Sequence, residues 1–262
     1  MIVERIWAAN ELRNYHYLLV DPGTGEALAI DPLDWRKCLQ RATDRGWRIT
    51  QILNTHEHPD HVAGNAALVR ATGAKVLAHA GAARRIGGVD QGLGAGSRVR
   101  IGRHIELECL DTPGHTFTHL CLFAHAAQPA LFSGDTLFNA GVGHCRDGDP
   151  NLLFDSCREQ LLPLPHGTRV YPGHDYLLRN LAFSLHVEPG NAGAARMRQR
   201  FDGMDAEQMP VLTLADELDI SSFFRLESKD LQERVRELAP ALPARPEPRE
   251  VFLALRELRN HW

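Results

Sequence analysis

The feature that most constrains this chain is an apolar run that ends in a cluster of titratable side chains. Residues 52–65 read ILNTHEHPDHVAGN. The run RITQILNTH has the character of a strand. His56, His58, Asp60 and His61 then fall within six residues, around Pro59. So many polar groups directly behind a strand require partners from elsewhere in the fold.

Three later loops supply candidates. Each follows an apolar stretch and contains glycine: His115 in DTPGHTFTH, Asp135 in LFSGDTLF and His174 in VYPGHDY. Glycine lets the backbone turn sharply and approach a site closely. Neutral imidazole and carboxylate are ligands for zinc, iron and manganese. His56 and His58 are one residue apart and can reach one ion, while a turn at Pro59 sends Asp60 and His61 towards a second. The pattern predicts His56, His58 and His115 on one ion and Asp60, His61 and His174 on the other, with Asp135 shared. The isolated His16, His104, His125, His166, His186 and His261 read as ordinary surface or core residues. His79 stays ambiguous, and His119 reads as a supporting group rather than a ligand. Asp31 either orients a ligand imidazole or is a turn aspartate.

Around these loops the first 175 residues alternate strands with short helices. YHYLLVD and EALAIDP flank the turn PGTG. HVAGNAALVRATG reads as one helix ending at Gly73, and ALFSGDTLF as one strand. The expected class is α/β, with two sheets inside and helices outside. After Asp175 the segments LLRNLAFSLHVEPGN, AGAARMRQRFDGMD, KDLQERVRELAP and PREVFLALRELRNHW are helical in period. We therefore expect a catalytic domain over 1–175 and a small helical, substrate-binding appendage over 176–262.

Composition narrows the function classes. The net charge of -4 offers no basic surface to nucleic acid or to an anionic membrane. No segment approaches the roughly 20 apolar residues of a membrane span. The N-terminus lacks the apolar stretch of a signal peptide, so a cytoplasmic location is expected. Five scattered cysteines, Cys38, Cys109, Cys121, Cys145 and Cys157, read as reduced thiols. A monomer or small homo-oligomer fits this composition.

The motifs THEHPDH, TPGHT, SGDTLF and YPGHDY resemble the metal-binding motifs of the metallo-β-lactamase fold superfamily. In the second half, GHDYLLRNLAFSLHVEPGN, PVLTLADELDISSFFRL and VFLALRELRNHW follow in the order of the helical domain of type II glyoxalases, the hydroxyacylglutathione hydrolases. The resemblance covers nearly the whole chain. It implies an αββα sandwich with a C-terminal helical domain. It also implies a dinuclear site with the ligand roles given above, holding zinc, or iron or manganese, with Asp60 and Asp135 as its catalytic carboxylates. The implied substrate is a glutathione thioester such as S-lactoylglutathione, an intermediate of methylglyoxal detoxification. A hydroxide held by the metals would attack the thioester carbonyl, giving glutathione and a 2-hydroxy acid.

The same resemblance implies that Tyr176, Arg256 and Arg259 hold the glutathione. It also marks a departure in GVGHCRDG, residues 141–148. His144 and Arg146 stand where the family carries lysine and tyrosine, with Cys145 between them near the substrate mouth. Arg146 can replace the lost cation, and the thiol carrier is left open. The alternatives are a persulfide dioxygenase with one iron on His58, His115 and Asp135, or a metallo-hydrolase of another thioester or a lactone. Two ions are favoured, because Asp60 and His174 would otherwise have no task.

Overall fold

The computed structural model describes residues 1–262. Six strands lie side by side in chain order. They are β1 (Ile2–Trp7), β2 (Tyr15–Val20), β3 (Glu26–Ile30), β4 (Arg48–Leu53), β5 (Lys75–His79) and β6 (Gln91–Leu93). The first three pair antiparallel through short turns, and β3 to β6 pair parallel. Parallel neighbours need crossovers, and helices supply them. α1 (Trp35–Asp44) joins β3 to β4, and α2 (Pro59–Val62) and α3 (Asn65–Thr72) join β4 to β5. The short α4 (Ala83–Ile86) precedes β6.

The second sheet begins with β7 (Arg98–Ile101), β8 (Ile105–Asp111), β9 (Leu120–Ala124) and β10 (Ala130–Gly134). A small ribbon follows, β11 (Leu137–Phe138) with β12 (Gly141–Val142). Next come α5 (Pro150–Asp155) and a π-helical extension over Ser156–Leu161. β13 (Arg169–Pro172) then returns beside β10, giving the order β13-β10-β9-β8-β7.

Every residue of β2 is buried. Tyr17 and Leu19 face the second sheet, packing in one cluster with Leu107, Leu122 and Phe132. Leu18 and Val20 face the other way, onto Cys38 and Ala42 of α1 and Leu68 of α3. A strand covered on both faces carries an unbroken apolar run rather than an alternating one.

The fourth layer comes from the end of the chain. It comprises α6 (Leu177–Val187), α7 (Ala192–Phe201), α8 (Leu214–Ile220), α9 (Lys229–Leu238) and α10 (Pro248–Asn260). Phe183, Val251, Phe252 and Leu255 share one apolar cluster with Phe123, Leu131 and Val170 of the second sheet. The helical segment therefore does more than pack on the outside: it completes the sandwich. α10 starts cleanly, with Pro248 in its first turn and a reciprocal cap between Glu247 and Glu250.

Two sequence expectations change in detail. The helix expected to run unbroken to Gly73 is divided into Pro59–Val62 and Asn65–Thr72, and Gly64 between them passes against the Pro32 carbonyl. A Cβ there would lie 1.8 Å from that oxygen. The strand expected over ALFSGDTLF breaks after Gly134, which sits at φ +46°. That break delivers Asp135 to the edge of the sandwich.

Phe252 is fully buried where α10 meets α5 and the second sheet. Phe252→Ala is expected to cost about 3–5 kcal/mol. Chemical denaturation should show the whole transition moving to lower denaturant. A separate early transition, with the rest unmoved, would show that the helices do not share the sheet's core.

Candidate metal centre

The ends of β4, β8, β10 and β13 meet at one edge of the sandwich and bring all seven sequence-predicted ligands together. His56, His58 and His115 form one group, and Asp60, His61 and His174 another. His56, His61 and Asp135 form a third group that connects them. Within each group the potential ligand atoms lie within 4.8 Å of one another.

Outer hydrogen bonds decide which nitrogen of each ring faces inward. His174 Nδ1 donates to the Leu12 carbonyl at 2.6 Å, and His115 Nδ1 to the His144 carbonyl at 2.7 Å. His61 Nδ1 donates to Asp31 Oδ2 at 3.0 Å. The Thr55 hydroxyl donates to that same oxygen at 2.7 Å, leaving its lone pair for His56 Nδ1 at 3.0 Å. Four Nε2 lone pairs are thereby turned into the site. Asp31 fills both readings the sequence allowed. It orients His61, and it occupies a turn at φ +48°, a region aspartate tolerates better than most residues.

The inward atoms crowd one another. His58 Nδ1 lies 3.0 Å from His56 Nε2 and 3.0 Å from His115 Nε2. His61 Nε2 lies 3.2 Å from His174 Nε2. Asp135 Oδ2 is 3.2 Å from His174 Nε2 and 3.5 Å from His115 Nε2, so it stands between the groups. Asp135 Oδ1 is buried without a hydrogen-bond partner. Gly173 leaves room for it, since a Cβ there would lie 2.4 Å from that oxygen. Lone pairs and carboxylates converging without donors between them suit cations, so the residues present fit a pair of divalent metal ions.

The electrostatics agree. Burial pushes His56 well down and His115 to about 4, which keeps both rings in the neutral, ligating form. At His61 burial acts the same way, but Asp135 and Asp31 override it and push its pKa well up: the two carboxylates favour a positive charge at this point, which a cation on Nε2 supplies in place of the proton. In Asp60 burial opposes the charge, while His61 and the Asn14 amide restore it.

His119 is no ligand, because its Nε2 accepts the backbone N–H of Asp135 at 3.0 Å. His79 caps a short turn by accepting from Gly81 N and lies outside the ligand groups. Some supports carried no sequence signal. The Glu57 carboxylate ties the histidine loop to Thr116, Thr118 and Arg85. Asn14 donates to Asp60 Oδ2 at 3.0 Å.

The expected substrate-binding residues separate into different surroundings. Tyr176 stacks on His174 and donates to the Leu12 carbonyl at 3.0 Å. Arg259 is half-buried over Phe183 and Trp262 and donates to Asn180. Arg256 is buried, and its guanidinium donates to the carbonyls of Val142 and Gly143, both at 3.1 Å. It thus holds the loop before His144. His144 and Arg146 are exposed, with the His144 ring beside His115 and Arg146 in a pocket next to His58. Cys145 packs against the apolar cluster, and burial pushes its thiol up to about 11, so it is a poor nucleophile.

Residues 14–174 match the sequence model of the Metallo-beta-lactamase superfamily, and residues 175–262 match that of the Hydroxyacylglutathione hydrolase C-terminus. The chain is 55% identical over 263 residues to a hydroxyacylglutathione hydrolase from Polaromonas sp. (strain JS666), covering 100% of both chains. It is 52% identical over the same length to one from Nitrosococcus oceani, again covering 100% of both. It is also similar to the crystal structure of ETHE1 from Myxococcus xanthus. There the identity is 26% and the TM-score 0.68, covering 99% of this chain and 98% of that one. The histidine and aspartate groups at one edge of this layered α/β sandwich suit divalent metal ions, and the full-length relatives are hydrolases. The chain belongs to the glyoxalase II, or hydroxyacylglutathione hydrolase, family of the metallo-β-lactamase superfamily.

One further buried group fixes the ribbon that follows Asp135. Glu217 of α8 accepts from Asn139 Nδ2 at 3.0 Å and from Ala140 N at 2.7 Å. Burial raises its carboxyl from 4.5 to about 8. In the unfolded chain the proton leaves near the ordinary value, and in the folded protein only near 8. The contribution to stability is therefore complete below about 4.5 and is lost as the pH rises through about 8. Glu217→Gln should flatten this part of the stability–pH curve, read as denaturation midpoints between pH 5 and 9. An unchanged slope would contradict the assignment.

Proposed function

We propose that this protein hydrolyses S-(2-hydroxyacyl)glutathione, such as S-lactoylglutathione, to glutathione and a 2-hydroxy acid. Two divalent cations would be held by His56, His58 and His115 and by Asp60, His61 and His174, with Asp135 bridging them. The observation that carries this reading is the pair of ligand groups meeting at one buried carboxylate whose Oδ1 makes no hydrogen bond. The full-length likeness to hydroxyacylglutathione hydrolases supports the substrate. A ligand set without thiolate suits zinc, and equally iron or manganese.

When bound, such cations supply Lewis acidity: they activate water near neutral pH and polarise the thioester carbonyl. The remaining work belongs to the chain. Asp31, Thr55 and the carbonyls of Leu12 and His144 hold four rings in their ligating orientation. Asp135 keeps the two groups together and Asp60 completes the second. Tyr176 presents its ring beside His174, and Arg259 has guanidinium donors that can take a carboxylate of the thiol carrier. Arg256 acts from beneath, on the loop carrying His144 and Arg146. Glutathione leaves as a thiolate, so no side chain needs to act as a general acid. We also propose that the catalytic part is 1–175 and the substrate-binding part 176–262, working in the cytoplasm. The absence of any helix long and apolar enough to cross a membrane is consistent with that location.

The test is a panel of acyl thioesters on glutathione and on other thiols, run beside metal quantification. The expected result is two ions per chain, activity abolished by chelation and restored by added metal, and preference for 2-hydroxyacyl glutathione. Asp135→Ala should lose both ions and lower kcat/KM by about a thousandfold. Full turnover by metal-free protein would falsify the proposal. One ion per chain, with oxygen uptake on glutathione persulfide, would favour a dioxygenase instead.

A further inference from the structure

His58 differs from the other ligand imidazoles. It turns Nδ1 rather than Nε2 towards its partners, and Nδ1 lies 3.0 Å from both His56 Nε2 and His115 Nε2. Its Nε2 points outward, 3.0 Å from Asp147 Oδ2. A carboxylate oxygen only accepts, so this contact requires the proton on Nε2 and leaves the Nδ1 lone pair inward. In the opposite tautomer, a nitrogen lone pair would face the carboxylate.

Asp147 does not reach His58 by chance, because its loop is fastened to the loop that carries His115. Asp147 bridges to Thr116, and Asp149 N donates to the Gly114 carbonyl at 3.0 Å. Gly148 passes so close to that strand of backbone that a Cβ would lie 2.0 Å from the Gly114 oxygen. The same loop supplies the His144 carbonyl that receives His115 Nδ1–H. One loop thus faces the outer nitrogens of two of the three ligands in the His56, His58 and His115 group.

We infer that Asp147 is a positioning residue: its carboxylate fixes the tautomer and orientation of His58 for metal binding. The 144–148 loop therefore orders the metal group as well as lining the substrate mouth. Outer carboxylates of this kind raise the basicity of a ligand imidazole and hold its ring in place. The side chain of Asp147 is 66% exposed, so solvent screens its charge and the effect falls at the low end of that class. This inference rests on the proposed metal centre but not on its substrate.

The test uses the full-length protein loaded with metal, in wild-type, Asp147→Ala and Asp147→Asn forms. The rate of metal removal by excess chelator is followed. Asp147→Ala should speed release of one of the two ions about tenfold and leave the other unchanged. Asp147→Asn keeps an acceptor oxygen without the charge and should fall between. In the cobalt-substituted protein, the exchangeable N–H of one ligand imidazole should be visible in wild type and in Asp147→Asn. It should be lost by exchange in Asp147→Ala. A wild-type chain that takes up no metal overturns the metal centre itself. A loaded wild type, with variants that release metal at its rate and keep that resonance, overturns the role of Asp147 alone.

Discussion

The architecture depends on one buried carboxylate. Asp135 stands between two sets of imidazole lone pairs, and one of its oxygens has no hydrogen-bond partner. Burying a carboxylate is costly unless positive charge lies beside it, and a cation held by the surrounding imidazoles supplies that charge. The arrangement around it follows from that requirement. Gly134 turns the strand to present the carboxylate, and Gly173 leaves it room. His119 receives its backbone N–H, and the ribbon behind it is clamped by Glu217. The two sheets are the frame that lets four strand ends arrive at one point.

A second layer of residues sets orientation. An imidazole can bind with either nitrogen, and a loop can hold its ring at many angles. Here carbonyls, a threonine hydroxyl and the carboxylates of Asp31 and Asp147 each choose one nitrogen. Several of these groups lie on segments with other duties. The Leu12 carbonyl serves both His174 and Tyr176, and the His144 carbonyl belongs to the loop beside the substrate mouth. The C-terminal helices reach the same loop through Arg256. Metal geometry and the expected substrate surface are therefore built from shared parts.

The ligand groups were legible because their chemistry is concentrated. Four candidate ligands in THEHPDH, joined by three glycine-flanked loops after strands, suit little besides metal binding. The sandwich was legible from its buried strands. Arg256 was harder, since a guanidinium on an amphipathic helix reads as exposed until its neighbours are known. Only packing shows that it points inward to two carbonyls. Asp147, Glu57 and Asn14 gave no signal, because a single polar residue in a loop looks the same whether it meets solvent or a ligand ring. The need for glycine at position 64 was hidden for a similar reason: the crowding comes from Pro32, which only the fold brings near. Local pattern reports what a segment prefers, and tertiary contact decides these cases.

Whether two cations share Asp135 can be seen by anomalous diffraction from metal-loaded crystals, at the absorption edge of the bound metal. Two peaks per chain are expected, about 3.5–4 Å apart. One should be ringed by His56, His58 and His115 and the other by Asp60, His61 and His174, with an oxygen of Asp135 reaching each. A single peak, or two peaks that Asp135 does not join, would contradict the shared-carboxylate centre.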